Sequence, residues 1–126
     1  MRKIIQDLWI VSQSGTVVFK RVFNQGVSDD LFVGFLNALN VVADMLSNGN
    51  VAKFELNSIK YITLKNNNFL FIGNSAKKVK EKRVQEELKK IAKKFFDKYS
   101  VEWLKNDWNG EIEIFSDFEK EILNHV

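Results

Sequence analysis

The chain has no cysteine, no proline and a single histidine, His125, among its 126 residues. Without cysteine it can form neither a disulfide nor a thiolate nucleophile, and the usual cysteine-rich zinc sites are excluded. One histidine beside the last residue leaves a catalytic triad or a metal cluster without obvious members. We therefore expect no catalytic residue, no cofactor and no metal site, and we interpret His125 as a surface residue.

Long apolar runs are also missing. The sequence contains no stretch of about 18 consecutive apolar residues, so no segment is predicted to span a membrane. The opening residues include a basic pair but no apolar segment with a small-residue cleavage site, so we predict no signal peptide. We expect a cytoplasmic protein that forms one domain over residues 1–126.

Positive charge is concentrated in one segment. The net charge is +3, but residues 76–98 hold ten basic and four acidic side chains, so this segment carries +6 and the rest carries −3. The predicted basic surface consists of Lys82, Lys89, Lys90, Lys93 and Lys94. Three interpretations stay open: a solvated face, a contact with an acidic protein or an acidic membrane surface, and a contact with nucleic acid. Phe95 and Tyr99 fall on the core side of the segment, where bases cannot stack on them, so we expect no nucleic-acid partner.

The hydrophobic pattern predicts five strands and two long helices. The predicted strands are 4–12, 16–23, 51–56, 58–64 and 69–73, and the predicted long helices are 30–46 and 81–99. In the C-terminal part, VEWLKNDW reads as a short helix, and EIEIFSDFEKEIL begins with strand-like alternation and continues as a helix capped by Ser116. The runs LWIV and FLFI are apolar on both faces, which is typical of central strands, whereas 51–56 alternates. This pattern predicts an antiparallel sheet in the order 2-1-5-4-3, with helices on both faces.

The predicted helix at 30–46 is apolar around nearly its whole circumference. A surface helix needs only one apolar face, so this helix is expected to pack on its own sheet and on a second surface. A second interpretation is that it is buried within the monomer, beneath the C-terminal segment. An edge strand can add a strand of a partner to its sheet. The candidate partner-interface residues are Val33, Gly34, Val41 and Met45 of the helix, and Val18, Lys20 and Val22 of the second strand.

The order of elements resembles the longin family, which is related to roadblock domains in the profilin-like superfamily. The likeness is carried by LWIVSQSGTVVFKRVF, by LFVGFLNALNVVADML and by the meander that ends in NFLFIGNS before the long helix. Roadblock domains usually have an extra helix before the first strand, whereas here a strand begins within the first few residues. No heptad coiled coil or membrane anchor follows in this sequence, so the resemblance favours a stand-alone, prokaryotic or archaeal adaptor.

Longin-like domains are binding platforms, and this implies a function for the chain. The resemblance implies a non-enzymatic module that binds a small Ras-like GTPase or another longin or roadblock subunit, as a homo- or heterodimer, in trafficking or signalling. The alternative is a small-molecule sensory domain, because related PAS-like sandwich folds can open a pocket between sheet and helix. An enzyme subunit is a third, weaker reading. The segment IGNSAKK lacks the second glycine and the Gly-Lys-Ser/Thr ending of a phosphate loop, so we interpret it as a strand-to-helix connection.

Overall fold

The sheet has the strand order that the sequence predicts. A computed structural model describes residues 4–23, 47–56 and 59–126. The five strands are β1 (Asp7–Val11), β2 (Val17–Arg21), β3 (Val51–Leu56), β4 (Ile59–Asn66) and β5 (Phe69–Asn74). Neighbouring strands pair antiparallel in the order β2-β1-β5-β4-β3. The α/β class and the five-stranded antiparallel sheet are therefore confirmed.

The burial of the strands explains why this order could be predicted. Every residue of β1 and of β5 is buried, because each strand has a neighbour on both sides and packed side chains on both faces. In β3, by contrast, Lys53 and Glu55 are exposed, as expected for a strand at the edge. A continuous apolar run thus marks a central strand, and alternation marks a peripheral one.

The β4–β5 hairpin turns on two asparagines. Asn67 and Asn68 have positive φ angles of 49° and 65°. Two successive residues with positive φ suit the primed hairpin turns, whose twist matches that of the strands, and asparagine tolerates this backbone region better than most residues. The turn sets the register in which Asn66 pairs with Phe69.

Helix α1 (Glu81–Lys98) packs on one face of the sheet. Its buried stripe repeats at three- and four-residue steps, as the sequence predicts, and consists of Val84, Leu88, Ile91, Ala92 and Phe95. Gly73 of β5 lies beneath this helix. A Cβ atom at Gly73 would lie 3.2 Å from Leu88 Cδ2 and 3.3 Å from Ile5 Cγ2, so the missing side chain lets α1 and the chain before β1 approach the sheet.

The C-terminal part differs from its prediction in one element. Helix α2 (Val101–Asn106) forms as expected, and the Ser100 hydroxyl caps it by accepting a hydrogen bond from Trp103 N at 3.0 Å. The predicted short strand after the Asn-Gly turn is wrong, because Glu113–Glu121 forms a 3-10 helix, η1. A 3-10 helix has three residues per turn, so Phe115 and Phe118 lie on one side, and both are buried. Ser116 is not a cap, since it lies inside this helix.

A second buried cluster lies on the sheet face opposite α1. It consists of Trp9, Val11, Tyr61, Leu70 and Ile72. The Tyr61 ring stacks on Phe54 with centroids 4.9 Å apart and tilts against Trp9 at 5.7 Å. The predicted helix at 30–46, with the interface candidates Val33, Gly34, Val41 and Met45, lies outside the described residues.

Candidate functional site

Helix α1 presents the predicted basic surface to solvent. Lys82, Lys89, Lys90, Lys93 and Lys94 are all exposed, on the side away from the buried stripe. Lys90 Nζ is 3.9 Å from Glu87 Oε2, and Lys94 Nζ donates a hydrogen bond to the carbonyl oxygen of Glu121 at 3.2 Å. Within the described part of the chain, Lys82, Lys89 and Lys93 form no ion pair. This surface therefore carries positive charge that internal carboxylates neutralise only in part.

A cleft of about 820 Å³ opens where α1 begins. Residues of β3, β4 and the end of β5 line it, together with the connection to α1. Lys53 Nζ of β3 and Glu81 Oε2 of α1 are 2.5 Å apart and join the edge strand to the helix. The hydrogen bond from Lys53 lowers the pKa of the Glu81 carboxyl, and the charges of Lys53 and Lys60 act in the same direction. The remaining charged groups of the lining are Glu55, Lys60, Lys77 and Lys80.

The segment IGNSAKK connects β5 to α1, as the sequence predicts. A phosphate-binding loop needs glycines whose open space lets the backbone approach the phosphate groups. At Gly73 that space is filled by Leu88 and Ile5. This glycine therefore serves helix packing and does not act as a glycine of a phosphate loop.

A buried polar cluster, which the sequence reading missed, joins the start of β1 to the end of β5. The side chains of Asp7 and Asn74 are both buried. Asn74 Nδ2 donates to Asp7 Oδ2 at 2.9 Å, and Asp7 N donates to Asn74 Oδ1 at 2.8 Å. The second carboxylate oxygen, Asp7 Oδ1, accepts a hydrogen bond from Phe23 N at 2.6 Å. The carboxylate thus fixes the chain just beyond β2 against the two central strands.

Two buried hydroxyl groups lie on β4, and one of them belongs to Tyr61, which pairs with Asn74 across the sheet. Across the described residues, Tyr61 Oη and Thr63 Oγ1 are the buried side-chain polar atoms for which no hydrogen-bond partner is found. Burial raises the pKa of Tyr61, and the charge of Asp7 raises it further, while the amide of Asn74 works in the opposite direction. Tyr61 and Asn74 also line the cleft. Tyr61 brings a buried hydroxyl to this lining, whereas the side chain of Asn74 is already hydrogen-bonded to Asp7.

His125 is not a loose surface residue, contrary to the interpretation from sequence. Its side chain is 14% exposed, and Nδ1 is hydrogen-bonded to Glu87 Oε1 of α1. Its carbonyl oxygen accepts from Ile5 N at 3.3 Å, and Val126 is buried. Arg21 Nε donates to the carbonyl oxygen of Val126 at 3.2 Å. The segment after η1 is therefore packed against both α1 and β2.

The predicted edge-strand contact involves β2, which pairs only with β1 among the described strands. Its three candidate residues differ in exposure. Lys20 is exposed, Val22 is partly buried, and Val18 is buried, with 4% exposure. Val18 lies where the β1–β2 register shifts, and it belongs to the core beneath α1. Any contact at this edge would therefore involve the backbone and Lys20 more than Val18.

Comparisons with known proteins do not assign a family. No protein-family model matches the chain, and a search of curated proteins finds no match. Within residues 4–23, 47–56 and 59–126, no group of three or more His, Cys, Asp or Glu side chains is arranged to hold a metal ion. No helix in those ranges is both long enough and apolar enough to cross a bilayer.

Proposed function

We propose that this chain is a non-enzymatic interaction module of the longin type, which binds a small Ras-like GTPase or a second longin or roadblock subunit. The observation that carries the proposal is burial on both faces of the sheet. The side chains of Leu8 and Phe71 pack beneath α1, while Trp9 and Ile72 are buried on the opposite face. Burial of both sheet faces is typical of layered sandwich folds, and the longin fold is one of them.

We propose the predicted helix at 30–46 for that second layer. One side of it would pack on the cluster of Trp9, Leu70 and Ile72. Its circumference is apolar beyond what one sheet face can bury, so the remaining flank, with Val33, Gly34, Val41 and Met45, is the proposed partner surface. The outer edge of β2, at Lys20, would extend the same contact by adding a strand of the partner.

Sedimentation velocity over a range of concentrations tests the self-association form of this proposal. A buried charge at the centre of an apolar interface typically costs about 2 kcal/mol or more, which is roughly a thirtyfold rise in Kd. We expect Val41→Asp to weaken association by that amount and to keep the circular dichroism spectrum. The matched control is Val101→Asp, because Val101 is an exposed valine on α2. An unfolded Val41→Asp protein would assign this flank to the monomer core instead.

A sensory domain that binds a small molecule is the second candidate, and the cleft beside α1 favours it. The cleft has the volume of a small-ligand pocket, and Tyr61 brings a buried hydroxyl to its lining. Native mass spectrometry of the freshly purified protein tests this alternative. A reproducible additional mass that denaturation releases would favour the sensor, and the mass of the bare chain would count against it.

A further inference from the structure

The exposed side of α1 carries two parallel columns of cations. Residues seven and four positions apart lie on one side of a helix, so Lys82, Lys89 and Lys93 form the first column and Arg83, Lys90 and Lys94 form the second. From the first turn to Lys94 the columns extend over about 18 Å, at 1.5 Å per residue. We refer to these six side chains as the lysine face.

The lysine face is only partly compensated by acidic groups. Glu86 and Asp97 lie on the same side of α1, and Glu87 is engaged by His125. Lys89 and Lys93 are four residues apart, as are Lys90 and Lys94, and like charges at this spacing repel each other. Helix α1 is held on the sheet by a fully buried stripe, so the positions from which these side chains extend are fixed.

An exposed leucine lies beside this array. The carbonyl oxygen of Glu121 accepts from Lys94 Nζ, and His125 contacts Glu87 two turns earlier on the same helix. The segment between these two contacts therefore runs along the flank of α1. It includes Leu123, whose exposure is 48%. A cationic array with an apolar side chain at its border is the combination that binds the interface of an anionic bilayer.

We propose that the lysine face and Leu123 dock the protein on an anionic lipid membrane, a surface separate from the proposed protein contact. Five of the six cations are lysines. The ammonium group of lysine is a compact charge without a fixed binding geometry, which suits attraction to many lipid headgroups at once. Arginine, with its planar fork, is the residue enriched at protein interfaces, where lysine is depleted. Phe96, a partly buried aromatic residue of α1, packs against Phe69 and Phe71, so it offers no stacking platform for single-stranded nucleic acid.

Co-sedimentation with vesicles tests the proposal. The wild-type chain should bind phosphatidylserine-containing vesicles at low ionic strength and dissociate from them as salt is added. It should not bind phosphatidylcholine vesicles. A lysine near an anionic surface contributes about fivefold to partitioning, so the double variant Lys89→Glu/Lys93→Glu should bind at least about 25-fold more weakly. The matched control is Lys105→Glu/Lys120→Glu, which changes the net charge equally at exposed lysines outside α1. It should lose less than about fivefold.

Further variants keep the test decisive. Circular dichroism checks the fold of each protein, and Lys89→Ala/Lys93→Ala replaces the charge-reversal variant if that one unfolds. Leu123→Ser should weaken vesicle binding several-fold without changing its salt dependence. Equal losses in the two Lys→Glu pairs, binding to phosphatidylcholine, or no binding at low salt would overturn the proposal. Binding through the lysine face to polyglutamate or a single-stranded oligonucleotide, but not to vesicles, would overturn the assignment to lipid.

Discussion

At the scale of single residues, buried polar groups determine how the ends of the central strands are fixed. Asp7 and Asn74 exchange two hydrogen bonds, and Asp7 also accepts from Phe23 N. A buried donor or acceptor that loses its partner has still lost its contact with water. Removal of one of these hydrogen bonds therefore costs more stability than the bond itself contributes.

Replacement of Asp7 should therefore be costly. Asp7→Ala would leave the Asn74 amide and Phe23 N without their acceptor, and we expect a loss of roughly 3 kcal/mol in the free energy of unfolding. Asp7→Asn keeps one acceptor oxygen and should lose less. Urea unfolding of the two variants beside the wild type measures both values, and a wild-type midpoint for Asp7→Ala would contradict the role given to this carboxylate.

Tyr99 should make stability depend on pH at the alkaline end. Its hydroxyl donates to the carbonyl oxygen of Ile114 at 2.9 Å, burial raises its pKa to about 12, and Asp117 and Glu121 add to that rise. The ordinary tyrosine pKa is 10.0. Because the folded-state pKa is the higher one, the contribution of Tyr99 is complete below pH 10 and is lost as the pH rises toward 12. Urea unfolding between these pH values should show the wild type losing more stability than Tyr99→Phe, and parallel losses would contradict this.

At the scale of elements, the sequence predicts correctly those strands and helices whose hydrophobic pattern is distinctive. Two-sided apolarity in β1 and β5 predicted the sheet order, because only central strands bury both faces. The strand predicted after the Asn-Gly turn is wrong because residues 111–114 alternate like a strand, whereas the spacing of three between Phe115 and Phe118 fits one side of a helix. The contact between Asp7 and Asn74 follows from the sheet order, because antiparallel pairing of β1 and β5 brings the start of one strand to the end of the other. The sequence analysis did not predict this contact. The contact of His125 with Glu87 could not be predicted, since no periodicity relates residues so far apart.

The 3-10 helix should contribute strongly to stability. The ring of Phe118 is buried between two others. Its centroid lies 5.4 Å from that of Phe19 in β2 and 5.2 Å from that of Phe95 in α1, so it joins η1 to both elements. Phe118→Ala should lower the free energy of unfolding by about 3–5 kcal/mol. Lys120→Ala, on the exposed side of η1, is the matched control and should change it by less than about 0.5 kcal/mol. Equal unfolding midpoints for the two variants would show that η1 is only loosely attached.

At the scale of the whole molecule, the two proposals assign the lipid contact and the protein contact to different segments of the chain. The lysine face belongs to α1, whereas the protein contact is proposed for the predicted helix at 30–46 and for the β2 edge. The charge distribution fits this division, because residues 76–98 carry +6 and the rest of the chain carries −3. A module of this design would hold a protein partner while it lies on an anionic surface.

Affinity capture from the native host, with the wild-type chain and Val41→Asp in parallel, tests the central claim most directly. Mass spectrometry identifies the proteins and small molecules that each bait retains. The interaction-module account predicts that a Ras-like GTPase or a longin or roadblock subunit is recovered with the wild type and is lost with Val41→Asp. Recovery of a small molecule without a protein partner, or of the same proteins with both baits, would contradict it.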